Sequence, residues 1–255
     1  MIVATSMQRE VRSLMPFIQL NNLTKDFGDG KGVFNLNLSI EKGEVFGFVG
    51  TNGAGKTTAI RHMMGFLKPK SGTAKISGMD CWTDAAEVKR LVGYIPGEIA
   101  FPDAPTGTEF LRRQAELLGL KDMSYAERII KKLQLDPTAN LKRMSKGMKQ
   151  KVMIMNALLA EPPLYIIDEP FLGLDPLGIR SLLEQLVEVK RRGAAVLMSS
   201  HILSTVEAYC DRFIVMHHGH IAAQGTLDDV RSAAGAGQGE SLEEVFYKLV
   251  AGGHS

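Results

Sequence analysis

Cysteine is scarce in this sequence: Cys81 and Cys210 are the two present, far apart along 255 residues. That rules out a disulfide framework or a cysteine-built zinc site, and two reduced cytosolic thiols are the expectation. An excess of charge of one sign is also missing, since 30 basic residues meet 28 acidic ones for a net charge of +2. No broad basic field therefore points to nucleic acid. No stretch approaches the roughly 20 apolar residues needed to cross a bilayer. The start, Met1 to Phe17, carries Arg9, Glu10 and Arg12 where a secretory signal needs its apolar run. Residues 1–16 read as a flexible tail, with Met7 and Met15 as alternative starts, and the chain as cytoplasmic. There is no internal repeat.

What is present suits a globular α/β chain, at 45% hydrophobic and 23% charged residues. Its length fits one large domain or a core carrying a smaller subdomain. Ile18 and Leu20 alternate around Gln19, a short strand signal, and Asp29-Gly30 between two apolar stretches is a hairpin cue. Val45–Val49 reads as a buried strand, followed by a glycine-rich turn. From Thr57 to Leu67, Ile60, Met63, Met64 and Leu67 recur at helical spacing. Residues from Pro102 to about Ala160 are helical in pattern, opened by a Thr106/Glu109 capping box. Strand-type runs return at Leu164–Ile167, Ala194–Met198 and Phe213–Met216. Helices between strands imply right-handed crossovers and a mainly parallel sheet. A Gly/Ala linker, Ala233 to Gly239, precedes an amphipathic helix started by a Ser241/Glu244 box.

Gly50-Thr51-Asn52-Gly53-Ala54-Gly55-Lys56-Thr57 matches G-x-x-x-x-G-K-[ST] at every fixed position, between a buried strand and an amphipathic helix. The glycines let the backbone curl so that successive N–H groups face a phosphate chain, and the helix beginning near Lys56 adds its positive dipole end. Lys56 is expected to bridge the β- and γ-phosphates, the Thr57 hydroxyl to ligate Mg²⁺, and Thr58 to reach the α-phosphate region. Alone, this loop leaves kinases, GTPases and motors equally open.

Leu164 to Ile167 ends in Asp168-Glu169. A strand buried on both faces delivers its polar tip at the carboxyl end of the sheet, where ligands bind. Asp168 is expected on the Mg²⁺ side and Glu169 as the general base that polarises the attacking water. Ser199-Ser200-His201 closes another apolar run. His201 is placed to contact the γ-phosphate and position the water.

Met144-Ser145-Lys146-Gly147-Met148-Lys149-Gln150 precedes a helix that runs toward the strand ending at Asp168. In this order of motifs the chain resembles the ABC ATPases, whose signature reads Leu-Ser-Gly-Gly-Gln. Ser145 and Gly147 match, while Met144, Lys146 and Met148 depart in a manner similar to bacterial exporter ATPases. The matching elements run from about Phe27 to Gly225. The resemblance implies a P-loop core with a mainly parallel sheet, an N-terminal antiparallel β subdomain and an inserted helical subdomain. The corresponding boundaries are 17–232 for the ATPase domain, about 98–160 for the insertion, and 233–255 for linker and last helix. It also implies ATP and Mg²⁺ as cofactors, and Ser145 with Gly147 closing on ATP held by a second ATPase subunit, identical or not. Gly173-Leu174-Asp175-Pro176 resembles the D-loop, with Asp175 communicating across the dimer. Phe27 stands where the family stacks an aromatic on adenine, although Phe34 is nearby and a core role is the ordinary fate of Phe.

One departure matters. After Val92-Gly93-Tyr94-Ile95-Pro96, where a glutamine that contacts Mg²⁺ is usual, this chain has Gly97 and Glu98. Glu98 is an alternative metal ligand, and the competing expectation is that water fills the position while Glu98 faces solvent or a partner. The functional expectation is ATP hydrolysis driving export through separate membrane-spanning subunits, at the inner face of the cell membrane and with no nucleic acid. A soluble ABC protein acting on ribosomes or DNA, and a P-loop kinase, are the rival readings.

Overall fold

The computed structural model describes residues 16–101 and 104–251. The 1–16 tail lies outside the described residues but for Pro16. The first element, β1 (Ile18–Gly28), turns through Asp29 and Gly30 into β2 (Lys31–Ile40). Both turn residues have positive φ, 51° and 70°, as a two-residue primed hairpin turn requires. β1 runs well beyond the short Ile18–Leu20 signal. Register shifts after Leu20 and Leu23 change the phase of alternation, so Leu23 is buried where strict period two would expose it. With β4 (Ser71–Ile76) and β5 (Met79–Asp80) these strands form an antiparallel sheet in the order β2-β1-β4-β5.

The second sheet contains β3 (Val45–Gly50), β6 (Val92–Ile95), β7 (Leu164–Asp168), β8 (Ala195–Ser199), β9 (Arg212–His217) and β10 (His220–Gly225). Their order is β10-β9-β3-β8-β7-β6, parallel throughout except for the β9–β10 hairpin at one edge. Period two sorts the central strands between two cores. Val45, Val49, Tyr165 and Ile167 join one, and Phe46, Phe48, Leu164 and Ile166 join the other. A large apolar side chain so buried contributes about 1.5–3 kcal/mol, and burial on both faces is why these strands read as unbroken apolar runs.

Helix α1 (Lys56–Met63) stops short of the expected Leu67. Gly65, at φ 64°, donates its N–H to the His62 carbonyl and ends it. After α2 (Ala85–Arg90) and β6 come three helices, α3 (Gly107–Leu117), α4 (Ser124–Lys132) and α5 (Lys146–Leu158). Thr106 caps α3 by accepting the Glu109 N–H at 3.1 Å. The reciprocal half of the expected box is absent because Arg112 and Arg113 take the Glu109 carboxylate. Helices α6 (Pro176–Arg191), α7 (Leu203–Tyr209), α8 (Leu227–Ala233) and α9 (Leu242–Ala251) complete the chain. Ser241 and Glu244 exchange both bonds of their box. The Gly/Ala segment before α9 is tied back, with Arg231 Nε donating to the Glu240 carbonyl at 2.7 Å. Leu242 and Val245 are fully buried in the main core.

Candidate active site

Parallel strands bring their carboxyl ends to one edge of the sheet, and the polar residues that follow β3, β7 and β8 meet there. The phosphate-cradle sequence forms the turn between β3 and α1. Gly55 sits at φ 105°, and a Cβ there would stand 2.8 Å from Val33, so only glycine fits. The loop walls a cleft of about 480 Å³ that Phe27, Lys31, Asp168 and Glu169 also line. Asn52, Gly53, Ala54, Gly55, Lys56, Thr57 and Thr58 all line it. Phe27 is 56% exposed at its rim, free of the core, and Lys25 Nζ lies 5.9 Å from its ring centroid.

Lys56 is buried, and its ammonium donates to the Gly50 and Thr51 carbonyls at 2.7 and 3.2 Å. Burial lowers its pKa, opposed by the negative charges of Glu169 and Asp168. Thr57 Oγ1 donates to Asp168 Oδ2 at 3.0 Å, so the hydroxyl of the loop and the carboxylate of β7 already converge. Burial first, and then the negative charge of Asp168, push the pKa of half-buried Tyr94 up to about 12.

Glu169 lies at φ 48°, a left-handed conformation uncommon for a residue with a side chain. Its Oε2 is 2.6 Å from His201 Nδ1, so the two residues expected to handle water form one hydrogen-bonded pair. Gly50, Asn52, Glu169 and His201 also line an adjoining cavity of about 810 Å³, whose far wall includes Phe246 and Tyr247 of α9.

Ser145, Gly147 and Asp175 stand apart from both cavities. Ser145 caps α5, accepting the Met148 N–H at 3.2 Å, and remains exposed. Gly147 packs against the turn before α6, where a Cβ would lie 2.4 Å from the Gly173 carbonyl oxygen. Asp175 caps α6 through the Gly178 N–H at 2.7 Å and pairs with Lys151 at 3.8 Å. Glu98 is exposed on the bend after β6 and lines neither cavity. Gly97 abuts the Asp168 carboxylate, with a Cβ there 3.4 Å from Asp168 Oδ2.

The family model for the ABC transporter matches residues 33–172, more than half of the chain. The chain belongs to the ABC transporter family. Over 240 residues, 92% of its length, it is 39% identical to the ABC-type transporter ATP-binding protein EcsA of Bacillus subtilis, of which it covers 97%. It is 35% identical to the bacitracin transport ATP-binding protein BcrA of Bacillus licheniformis, over 84% of this chain and 71% of that one. A solved ATP-binding subunit of an ABC transporter superposes with a TM-score of 0.85 at 39% identity, over 91% of this chain and 99% of its own. This ABC ATP-binding subunit is accordingly an ATPase of P-loop fold.

Sequence reasoning assigned no role to two buried polar residues of this ABC ATPase. Gln150, on α5, donates from Nε2 to the Pro170 carbonyl at 2.9 Å and so ties the helix begun by Ser145 to the turn beyond Glu169. Its place in the quoted signature run was the available signal. Ser199, at the end of β8, touches both acids. Only the pairing of β7 with β8 reveals that.

Proposed function

We propose that this ABC ATPase binds MgATP, dimerises on it and drives substrate export through separate membrane-spanning subunits. The observation that carries this reading is the split between one preassembled phosphate site and one exposed helix N-terminus. The first holds Lys56, Thr57, Asp168, Glu169 and His201 together; the second, at Ser145, has no phosphate cradle of its own.

The residues suit the metal. A hydroxyl and a carboxylate, Thr57 and Asp168, are hard oxygen donors of the kind Mg²⁺ takes. Among the described residues no three His, Cys, Asp or Glu side chains cluster as a metal site. The remaining positions fall to phosphate and water oxygens, the usual way Mg²⁺ is held beside a nucleotide. When bound there, the ion supplies charge neutralisation on the β- and γ-phosphate oxygens.

The backbone N–H groups of residues 52–57 and the Lys56 ammonium bind and orient the phosphates, and Phe27 offers its face to the adenine. Glu169 takes a proton from water as the water oxygen bonds to the γ-phosphorus. The bond from that phosphorus to the β–γ bridging oxygen breaks, leaving ADP and inorganic phosphate. His201, held by Glu169, orients the water and the γ-phosphate. Asp175, at the tip of the turn that Gly147 packs against, relays closure between copies. Glu98 is left outside the ligand set.

A second copy presenting Ser145 and Gly147 completes the site by adding a hydroxyl and an N-terminal helix dipole to the open side of the phosphates. A solved relative of this fold, 23% identical with a TM-score of 0.72, is a dimer bound to ADP and Pi. Among the described residues no helix is long and apolar enough to cross a membrane, which agrees with separate membrane subunits placing the protein at the cytoplasmic face. Similarity to a protein named for bacitracin transport supports the exporter branch.

Glu169→Gln tests the reading. ATP binding is retained, hydrolysis falls by roughly 10²–10⁴, and a nucleotide-bound dimer accumulates in size-exclusion chromatography. Near-normal turnover removes Glu169 from the mechanism. Co-purification with ribosomes or DNA, in place of a polytopic membrane protein, favours the soluble alternative.

A further inference from the structure

We propose that Ser199 is a positioning residue for hydrolysis, its buried hydroxyl fixing the Asp168 carboxylate and the Glu169 backbone relative to one another. The pairing of β7 with β8 sets Asp168 directly opposite Ser199. Both side chains are buried, Ser199 completely. Ser199 Oγ donates its single proton to Asp168 Oδ1. The Glu169 N–H is shared between Ser199 Oγ and the Ser199 carbonyl oxygen, each at 3.1 Å. A serine hydroxyl has one proton and two lone pairs, so this one donates to the first acid and accepts from the second.

Two consequences follow from that node. Asp168 is gripped from both sides, with Thr57 of the P-loop on Oδ2 and Ser199 on Oδ1. One oxygen therefore stays with the loop side, where phosphates and metal are expected, while the other cannot swing away. Glu169 adopts its left-handed conformation with its N–H anchored on the same serine, which aims the carboxylate at His201. The adjacent Ser200 is equally buried but turns elsewhere, its Oγ accepting the Ile202 N–H at 3.0 Å. Of the serine pair, Ser199 alone bonds the acids.

The inference rests on the proposed Mg²⁺-dependent hydrolysis, so the full chain is assayed for two readouts. One is the Mg²⁺ dependence of hydrolysis. The other is the binding of a fluorescent non-hydrolysable ATP analogue, with Mg²⁺ titrated or with EDTA. Ser199→Ala is expected to raise the Mg²⁺ concentration for half-maximal analogue binding roughly 10-fold and to lower kcat by about 10–100-fold, the range for outer-shell partners of a metal site. Affinity in EDTA stays at the wild-type value. Ser199→Thr keeps the hydroxyl and restores the Mg²⁺ dependence, and Ser200→Ala leaves it unchanged. Wild-type Mg²⁺ dependence in a folded Ser199→Ala protein overturns the proposal. So does an equal loss of analogue affinity in EDTA, which marks a merely structural role. Should the threonine overpack and lower the melting temperature, the alanine variant decides alone. A wild-type protein whose hydrolysis ignores Mg²⁺ sinks the functional reading itself, a result separable from either variant.

Discussion

The two regions proposed to meet phosphate are built in opposite ways. At the P-loop, three of the side chains proposed to act on phosphate, metal or water already have protein partners: Lys56 on Gly50 and Thr51, Thr57 on Asp168, Glu169 on His201. At the start of α5, Ser145 is exposed, its oxygen occupied by the Met148 N–H and its proton free to donate. The first region is organised before ligand arrives, so little ordering remains to be done on binding. The second is held in place by Gly147 against Gly173 and by Gln150 on Pro170, yet Ser145 and Gly147 line neither cavity beside the P-loop. Rigidity without a local target is what a surface presented to another molecule needs.

The largest expected effect breaks the second region alone. Ser145→Arg removes the cap and inserts bulk and charge at the face that would meet the other copy. ATP-dependent dimerisation is lost, and the steep rise of hydrolysis rate with protein concentration disappears, while nucleotide affinity of the monomer is kept. Rates measured across a wide dilution series from demonstrated monomer check this, and strictly linear wild-type hydrolysis counts against it.

A middle-sized effect sharpens the comparison by disturbing placement and leaving the hydroxyl. Gly147→Val forces side-chain atoms onto the Gly173 carbonyl, where even a Cβ comes within 2.4 Å. Overpacking of this kind costs about 1–3 kcal/mol. Urea unfolding should show that loss, and ATP-dependent dimerisation should weaken more than monomer nucleotide affinity. Unchanged stability and dimerisation would show that the turn yields.

The smallest effect concerns the helix behind the P-loop. His62 of α1 is buried, its Nδ1 bonded to the Leu67 carbonyl at 2.7 Å and its Nε2 without a hydrogen bond. Burial lowers its pKa below 6.5, with the Leu67 bond opposing and Lys25 reinforcing. The unfolded state then binds the proton more readily, so this stability is fully present above about pH 6.5 and is lost as pH falls toward the folded value. His62→Gln should flatten the pH dependence of the melting temperature below neutrality. An identical acid slope in wild type and variant would show that His62 is not its source.

The P-loop, the acid pair, His201 and the alternation of apolar strands with helices were all legible in the order of residues. Each is local: a phosphate cradle is one continuous turn, and a strand buried on both faces is one apolar run. That order also led beyond Leu20 only weakly in β1, because bulges reset the alternation there, and past the end of α1, because Gly65 rather than apolar spacing stops that helix. Which residues meet across elements was settled by the folded packing. Ser199 reaches Asp168 through strand pairing between positions 31 apart, and Gln150 reaches Pro170 across 20. Gly97 lies against the Asp168 carboxylate, while Glu98, on the same bend after β6, is exposed. Such contacts depend on register and on the packing of separate segments, which residue spacing along one chain does not encode.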